Sequence, residues 1–304
     1  MASLSAEIGS LSAAQAGFRN SHSTADNIFI LHSLINLYLS KKKKLFCTFI
    51  DLSRAFDTIW RVGLWQKLIE NNISGKCFNV IKSLYQNVKS CVTKNCQKSD
   101  YFACNVGVRQ IENISPFPFS LFINDIEQYL EDNGVESLAM INEVSFEVLA
   151  IYLKIFLLLY ADDTVLMSEN VDGMQTMLNV LYCNTWKLQV NVTKTKVVIF
   201  SKRKVTQNTR FMSDNKELDI CESYNYLGIL FNFNNNFLNA KKKLVEQAQK
   251  ALYSVYYKIR NIKIPLDLQL KMFDTLVSPI LLYACEVIEF DINDNIEKVN
   301  LQFL

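Results

Sequence analysis

Apolar residues along the chain switch between a helical period and short strand-like runs. From Ser23, the stretch STADNIFILHSLINLYLS sets Ile28, Leu31, Leu34, Ile35 and Tyr38 at helical spacing behind the cap residues Ser23 and Thr24. This predicted helix ends in Lys41 to Lys44, a cationic run that suits a helix C-terminus and solvent. LFCTFID is then short, apolar and aromatic-rich, which predicts a strand. Helical patterns resume at about 60 to 71 and 75 to 87, and the polar-alternating pieces KSCVTKN and DYFACNV predict a hairpin through 89 to 106. Residues 115 to 131 read as one helix with Pro116 and Pro118 in its first turn, where a missing N–H is tolerated. Residues 153 to 160 and 164 to 168 read as strand, tight turn and strand. Further on the pattern predicts a helix at about 172 to 188, a strand at 197 to 200, and strands around 217 to 221 and 226 to 231. Two helices, at about 239 to 260 and 266 to 283, complete the reading.

Residues 1 to 14 are small and polar, and read as an unpacked lead-in or the stub of a longer chain. With eight Gly and four Pro, no flexible linker divides the sequence; the best boundary is the Asn-rich FNFNNNFLN at 231 to 239. The expected division is a mixed strand and helix domain over 1–235 and a helical region over 236–304. The most apolar window, FEVLAIYLKIFLLLYA, contains Glu147 and Lys154 and is shorter than the roughly 20 residues a membrane span needs, so it reads as buried strand.

Half of the 304 residues are apolar and 20% are charged, a composition that excludes disorder. The net charge of +2 does not by itself announce a nucleic-acid partner, so a basic surface has to come from clusters. Three exist: Lys41 to Lys44, SKRK at 201 to 204, and Lys241 to Lys243. Each is a solvated helix end or loop, or a source of salt-dependent phosphate contacts. On the helix beside the last cluster, Tyr253, Tyr256 and Tyr257 are expected to be mostly core, with the lysines and Arg260 facing a primer-template groove. The eight cysteines include no C-x-x-C pair and the histidines are only His22 and His32, which argues against structural zinc and for reduced thiols. With no secretory signal at the N-terminus, the expected location is intracellular, in nucleus or cytoplasm, with no membrane partner.

Within LLLYADDTVLM, at 157 to 167, Asp162 and Asp163 stand between two apolar runs. Adjacent ionised aspartates repel, and burial adds to the penalty. A solvated turn accounts for the dipeptide taken alone. The flanking strands, however, hold the pair on a rigid element, where a divalent cation is the usual compensating charge. The other strand-borne carboxylate is Asp51, at the end of LFCTFID. If the two strands are neighbours, three carboxylates converge. Such a trio binds a pair of Mg²⁺ ions about 4 Å apart, which clamp the attacking and leaving oxygens of a phosphoryl transfer. No glycine-rich loop is present to hold a nucleotide in the manner of an unrelated phosphotransferase.

FIDLSRAFDTI, then GVRQ followed by SP, then YADD resemble in order motifs A, B and C of reverse transcriptases, most closely those of non-LTR (LINE-type) retrotransposons. AQAGFRNSHSTADN is similar to the fingers segment ahead of motif A, LQVNVTKTKVVIF to motif D, YNYLGILF to motif E, and FDTLVSPILLYACEV to the helical region after the palm. The resemblance implies an α+β fold: a right-hand polymerase palm with an antiparallel sheet, partial fingers and a helical thumb-like C-terminal region. It implies RNA-directed DNA synthesis, adding dNTPs to a DNA primer 3′-OH on an RNA template with two Mg²⁺ ions, or Mn²⁺ in their place.

Residue by residue, Asp51, Asp162 and Asp163 match the catalytic metal-binding triad. Phe56 matches the aromatic gate that crowds a ribose 2′-OH; its spacing alone describes a core residue. Asp57 closes the AFD signature and reads as structural. Gln110 matches the motif B glutamine beside the incoming nucleotide, with Arg109 a contact to substrate or template. Lys194 matches the motif D lysine that would donate a proton to pyrophosphate, or is a solvated lysine. Arg19 is a candidate contact to template or triphosphate. Tyr226, Leu227 and Gly228 resemble the primer-grip hairpin, where glycine permits close backbone approach.

Three departures stand out. Ile111 replaces the family's motif B glycine, and a β-branched side chain there crowds the site. SPFPF takes the place of SPLLF. The fingers elements that normally precede AQAGFR are mostly missing and no endonuclease or RNase H pattern appears, so the chain is expected to be a piece of a larger polyprotein. An inactive retrotransposon remnant that at most binds nucleic acid is the alternative expectation.

Overall fold

The computed structural model describes residues 12, 14–19, 21–109, 116–136, 138, 156–182, 186–204, 209–262 and 264–288. In chain order these form helix α1 (Thr24–Ser40), strand β1 (Leu45–Ile50), helices α2 (Ala55–Thr58), α3 (Arg61–Glu70) and α4 (Gly75–Leu84), a narrow ribbon within 89–103, and helices α5 (Pro116–Phe122) and α6 (Ile126–Asp132). The hairpin β2 (Leu157–Tyr160) and β3 (Asp163–Ser168), helix α7 (Val171–Tyr182) and strand β4 (Lys196–Phe200) follow. A small hairpin at 212–217 leads to strands β5 (Asp219–Cys221), β6 (Ser223–Tyr226) and β7 (Ile229–Asn232), then helices α8 (Leu238–Ile259), α9 (Leu266–Leu276), α10 (Ser278–Leu281) and α11 (Cys285–Ile288). The chain divides into two compact units, one of residues 1–24, 44–199 and 206–221, the other of 25–43, 200–205 and 222–304.

In the first unit a five-stranded sheet runs in the order β5, β4, β1, β3, β2. β1 takes the middle because every one of its six residues is apolar or a small threonine, and all six are buried. β3 runs antiparallel to β1, with Phe46 opposite Ser168 and Ile50 opposite Thr164, and β2 runs antiparallel to β3. The mixed α+β class with an antiparallel sheet is therefore present, with one parallel pair, β5 on β4, at the far edge. α7 lies against β1 and β3 and buries Met174, Met177 and Leu178.

Two predicted helices are each broken. The helix expected over 115 to 131 is interrupted at 123–125, where the Asp125 carboxylate is held by the Lys67 ammonium and by Trp186 Nε1 at 3.1 Å. These tethers come from distant sequence, so the local apolar period gave no sign of them. The helix expected over 266 to 283 stops at Leu276 and restarts at Ser278, because Pro279 has no N–H to donate and its ring would strike the preceding turn. The predicted apolar strand continues upstream of Phe156 into residues that lie outside those described.

In the second unit β6 and β7 form a hairpin whose two turn residues, Leu227 (φ 45°) and Gly228 (φ 82°), are both left-handed, the geometry that two-residue hairpins favour. Close approach to Gly228 is made by the Tyr283 ring, 3.3 Å from where a Cβ would stand, while the Tyr283 hydroxyl donates to Leu227 O at 2.7 Å. α8, α9 and α10 share a core of Val245, Ala248, Leu252, Phe273, Val277 and Leu281. That face assigns the tyrosines differently from the sequence reading. Tyr256 packs partly against the core, whereas Tyr253 and Tyr257 are exposed, because at 100° per residue they fall on the far side from Leu252 and Val255.

Candidate active site

The sheet ends decide which carboxylates meet. Ile50 pairs with Thr164, so one step further along each strand Asp51 leaves β1 just where Asp163 opens β3. Tyr160 pairs with Asp163 across a two-residue turn, Ala161 and Asp162, and Ala161 takes a left-handed φ of 56°. A residue with a Cβ is strained there, a feature common at functional sites. The Asp163 carboxyl is pushed up to about 6, first by burial, then by the Asp162 charge and by that of Asp51. Asp163 thus lies within electrostatic reach of both other carboxylates.

In a role its sequence does not show, the motif D stretch pins Asp51. Its N–H donates to Thr195 Oγ1 at 3.2 Å, its carbonyl accepts from the Asn191 N–H at 2.8 Å, and the Ser53 N–H donates to Gln189 O at 2.7 Å. The motif D stretch therefore lies across the end of β1. It brings Lys194 Nζ within 3.8 Å of Asp51 Oδ1, a mostly exposed pair of little energetic worth.

The hairpin is braced from its other side. The backbone of 14–16 adds to the free edge of β2, with Ala16 N–H on Leu159 O at 3.0 Å and Leu159 N–H on Ala14 O at 2.8 Å. Gly17 then abuts the turn so tightly that a Cβ would stand 2.4 Å from Ala161 N. Arg19 supports this strap locally, donating through Nη1 to Ser12 O and Gln15 O, each at 3.1 Å.

Phe56 is half-buried and stacks on Phe119, with centroids 4.5 Å apart at 24°. The Val108 N–H donates to Phe56 O at 2.7 Å, which holds the segment leading to the exposed Arg109 against α2. Gln110 and Ile111 lie outside the described residues. Asp57 is exposed, and its carbonyl forms the wall that Gly107 faces. The geometry thus draws Asp51, Asp162, Asp163 and Lys194 into one neighbourhood and Phe56 and Arg109 into another, with Arg19 engaged on the strap.

The donor set suits a hard divalent cation: three carboxylates and no soft ligand. Among the described residues, no three His, Cys, Asp or Glu side chains stand close enough together to hold an ion as they are. The surplus negative charge on Asp163 is what a cation would relieve. One pH effect follows. Because burial and like charge raise the folded-state pKa of Asp163 to about 6 from 3.8, its stabilising contribution is complete below about pH 4 and is lost as pH rises through 6. Asp163→Asn should therefore stabilise the metal-free protein at pH 7.5 by about 1 kcal/mol, well under the full shift because the carboxylate, although partly desolvated, keeps a solvent-facing side that screens it. The gain should vanish near pH 4. Urea unfolding in EDTA at both pH values measures it, and an equal gain at both would show that charge is not the cause.

A YADD turn on an antiparallel sheet, beside a strand-end aspartate, defines the palm of a right-hand polymerase. The chain belongs to the reverse transcriptase family: the family described as "Reverse transcriptase (RNA-dependent DNA polymerase)" matches residues 2–231. Its relatives lie in non-LTR elements. It is 27% identical to the RNA-directed DNA polymerase from mobile element jockey of Drosophila funebris, over 94% of this chain and 30% of that protein. It is 24% identical to the Pol polyprotein of the type-1 retrotransposable element R2 of Nasonia vitripennis, over 74% of this chain and 22% of that one. The chain thus spans about a third or less of the curated relatives it matches. A solved structure of Candida albicans telomerase, in complex with a fragment of telomeric RNA, shares the fold with a TM-score of 0.54 at 13% identity, covering 95% of this chain and 53% of that one. No helix among the described residues is long and apolar enough to cross a membrane.

Proposed function

We propose that this chain carries the polymerising centre of a non-LTR retrotransposon reverse transcriptase, adding dNTPs to a DNA primer 3′-OH on an RNA template, in nucleus or cytoplasm. The observation that carries the proposal is the register of β1 and β3, which sets Asp51 beside Asp163 at the foot of the YADD hairpin.

In this reading Asp51, Asp162 and Asp163 hold two Mg²⁺ ions, or Mn²⁺. When bound, such ions supply charge stabilisation and alignment for phosphoryl transfer. The Asp51 main chain is held by Asn191 and Thr195, which fixes the point from which its carboxylate reaches the ions. Phe56, fixed by the Phe119 ring, crowds a ribose 2′-OH and so favours a deoxyribose. Arg109 and Gln110 contact nucleotide or template, Arg19 braces the strap, and Lys194 carries a proton toward departing pyrophosphate. Functionally, residues 1–235 act as palm with part of the fingers and 236–304 as a thumb-like region. This division cuts through the second compact unit, because α1 and the β6–β7 hairpin belong with the C-terminal helices.

Primer extension on an RNA template with Mg²⁺ and dNTPs tests the reading. Wild type should extend, and Asp162→Ala should lower the rate by on the order of 10³-fold, as loss of an electrostatic transition-state contact does. Absence of extension by wild type would overturn it in favour of a remnant that only binds nucleic acid.

A further inference from the structure

The sequence reading gave Arg61 no role, yet its guanidinium makes the most concentrated set of long-range contacts near the candidate site. Nε donates to Gly107 O at 2.8 Å, Nη2 to Val106 O at 3.1 Å and Nη1 to Tyr85 O at 3.0 Å. The Tyr85 ring lies beneath it, 5.4 Å from Cζ. Three carbonyls from two separate segments are thereby drawn to one side chain at the start of α3.

The segment so held is the one that leads into Arg109. Two backbone bonds run beside the arginine: Gly107 N–H to Ile59 O at 2.9 Å and Val108 N–H to Phe56 O at 2.7 Å. Gly107 is left-handed at φ 78°, and a Cβ there would stand 2.4 Å from Asp57 O. Residues 106–108 and the 56–59 backbone are therefore in contact with no room for a side chain between them. Burial, and to a lesser degree the neighbouring Arg109 charge, lower the Arg61 pKa.

We infer that Arg61 is a positioning residue that sets the spacing between Phe56 and the Arg109 segment, and through that spacing the discrimination between deoxy- and ribonucleotides. The inference rests on the polymerase reading of the site. Phe56 gates by contact, so its selectivity depends on how firmly the groups bonded to it are held. Two supports hold Phe56 itself: the Phe119 ring on its side chain and the Val108 N–H on its carbonyl. Arg61 holds Val106 and Gly107, and so fixes the Val108 N–H that carries the second of these supports. A lysine keeps the charge but lacks the planar fork that reaches several carbonyls at once.

The test compares wild type, Arg61→Lys and Gly107→Ala, which disturbs the same spacing from the opposite side. Primer extension with dATP and with ATP gives kcat and KM, and hydrogen exchange follows the amides of 104–109. Both variants should raise the dNTP KM and reduce dATP-over-ATP selectivity by about tenfold, with a smaller change in kcat, as expected for a displaced positioning wall. Exchange at Gly107 and Val108 should quicken in Arg61→Lys. If wild type extends primers and the variants keep its selectivity and KM, the inference falls while the polymerase reading stands. Where wild type does not extend, the polymerase reading falls and the discrimination role falls with it; exchange then reports the clamp alone. Unchanged exchange at Gly107 and Val108 in Arg61→Lys overturns the clamp in either case. If Arg61→Lys does not fold, Gly107→Ala decides the selectivity question alone.

Discussion

Asp51→Asn should lower the rate of nucleotide addition by on the order of 10³-fold or more, the scale expected when a charge that stabilises a phosphoryl-transfer transition state is removed. The substitution is nearly isosteric, and the bonds that place residue 51 are made by its backbone: its N–H donates to Thr195 Oγ1 and its carbonyl accepts from Asn191. The fold should therefore remain, with an unfolding midpoint close to wild type. A second readout needs no activity. Asp51 is one of the two charges that raise the Asp163 pKa, so in Asp51→Asn the Asp163 carboxyl should titrate below about 6. Carboxyl-carbon NMR at varied pH in EDTA follows it. An unmoved Asp163 together with undiminished primer extension would show that the two carboxylates do not share a site.

That pairing shows how far the sequence reached. The runs LFCTFI and LLLY-ADD-TVLMS are apolar enough to demand burial, so β1, β2 and β3 were legible from composition and length alone. Their adjacency came from the chemistry of three carboxylates needing one another and from motif order, since local sequence carries no record of which strands pair. Lys194 was legible as part of a motif, but the backbone bonds by which 189–195 hold Asp51 were not, because Asn191 and Gln189 contribute only N–H and C=O groups that every residue has. The same limit hid the clamp. Arg61 reads as an ordinary polar residue at a helix start until Gly107 and Val106 are brought to it by long-range folding. Tyr253 and Tyr257 differ from expectation for another reason: aromatic character suggests burial, whereas the 3.6-residue period around Val245, Ala248 and Leu252 assigns them to the opposite face.

Gly17→Ala should lower primer extension by about a hundredfold, the scale of a misplacement of roughly 1 Å near reacting groups. The chain around Gly17 braces the YADD hairpin. Residues 14 to 16 complete the edge of β2, and the next residue meets the turn that carries Asp162. An added Cβ would stand 2.4 Å from Ala161 N and 3.1 Å from both Tyr160 C and Gln15 Oε1. Two of those atoms are backbone, so no flexible side chain can yield in their place. Gln15 is wholly buried, with Oε1 accepting from the Gly17 N–H, and cannot swing outward without losing that bond. Either the strap leaves the β2 edge or the hairpin moves, and both displace Asp162 and Asp163. Overpacking of this kind costs about 1–3 kcal/mol of stability, measurable as a urea midpoint shift. Gly75→Ala separates stability from position. Gly75 is left-handed, at φ 62°, and nothing lies within 4 Å of its added Cβ, so that variant should lose stability through backbone strain alone while keeping the wild-type rate. Equal rates in Gly17→Ala and wild type would mean that the hairpin is held by β3 alone.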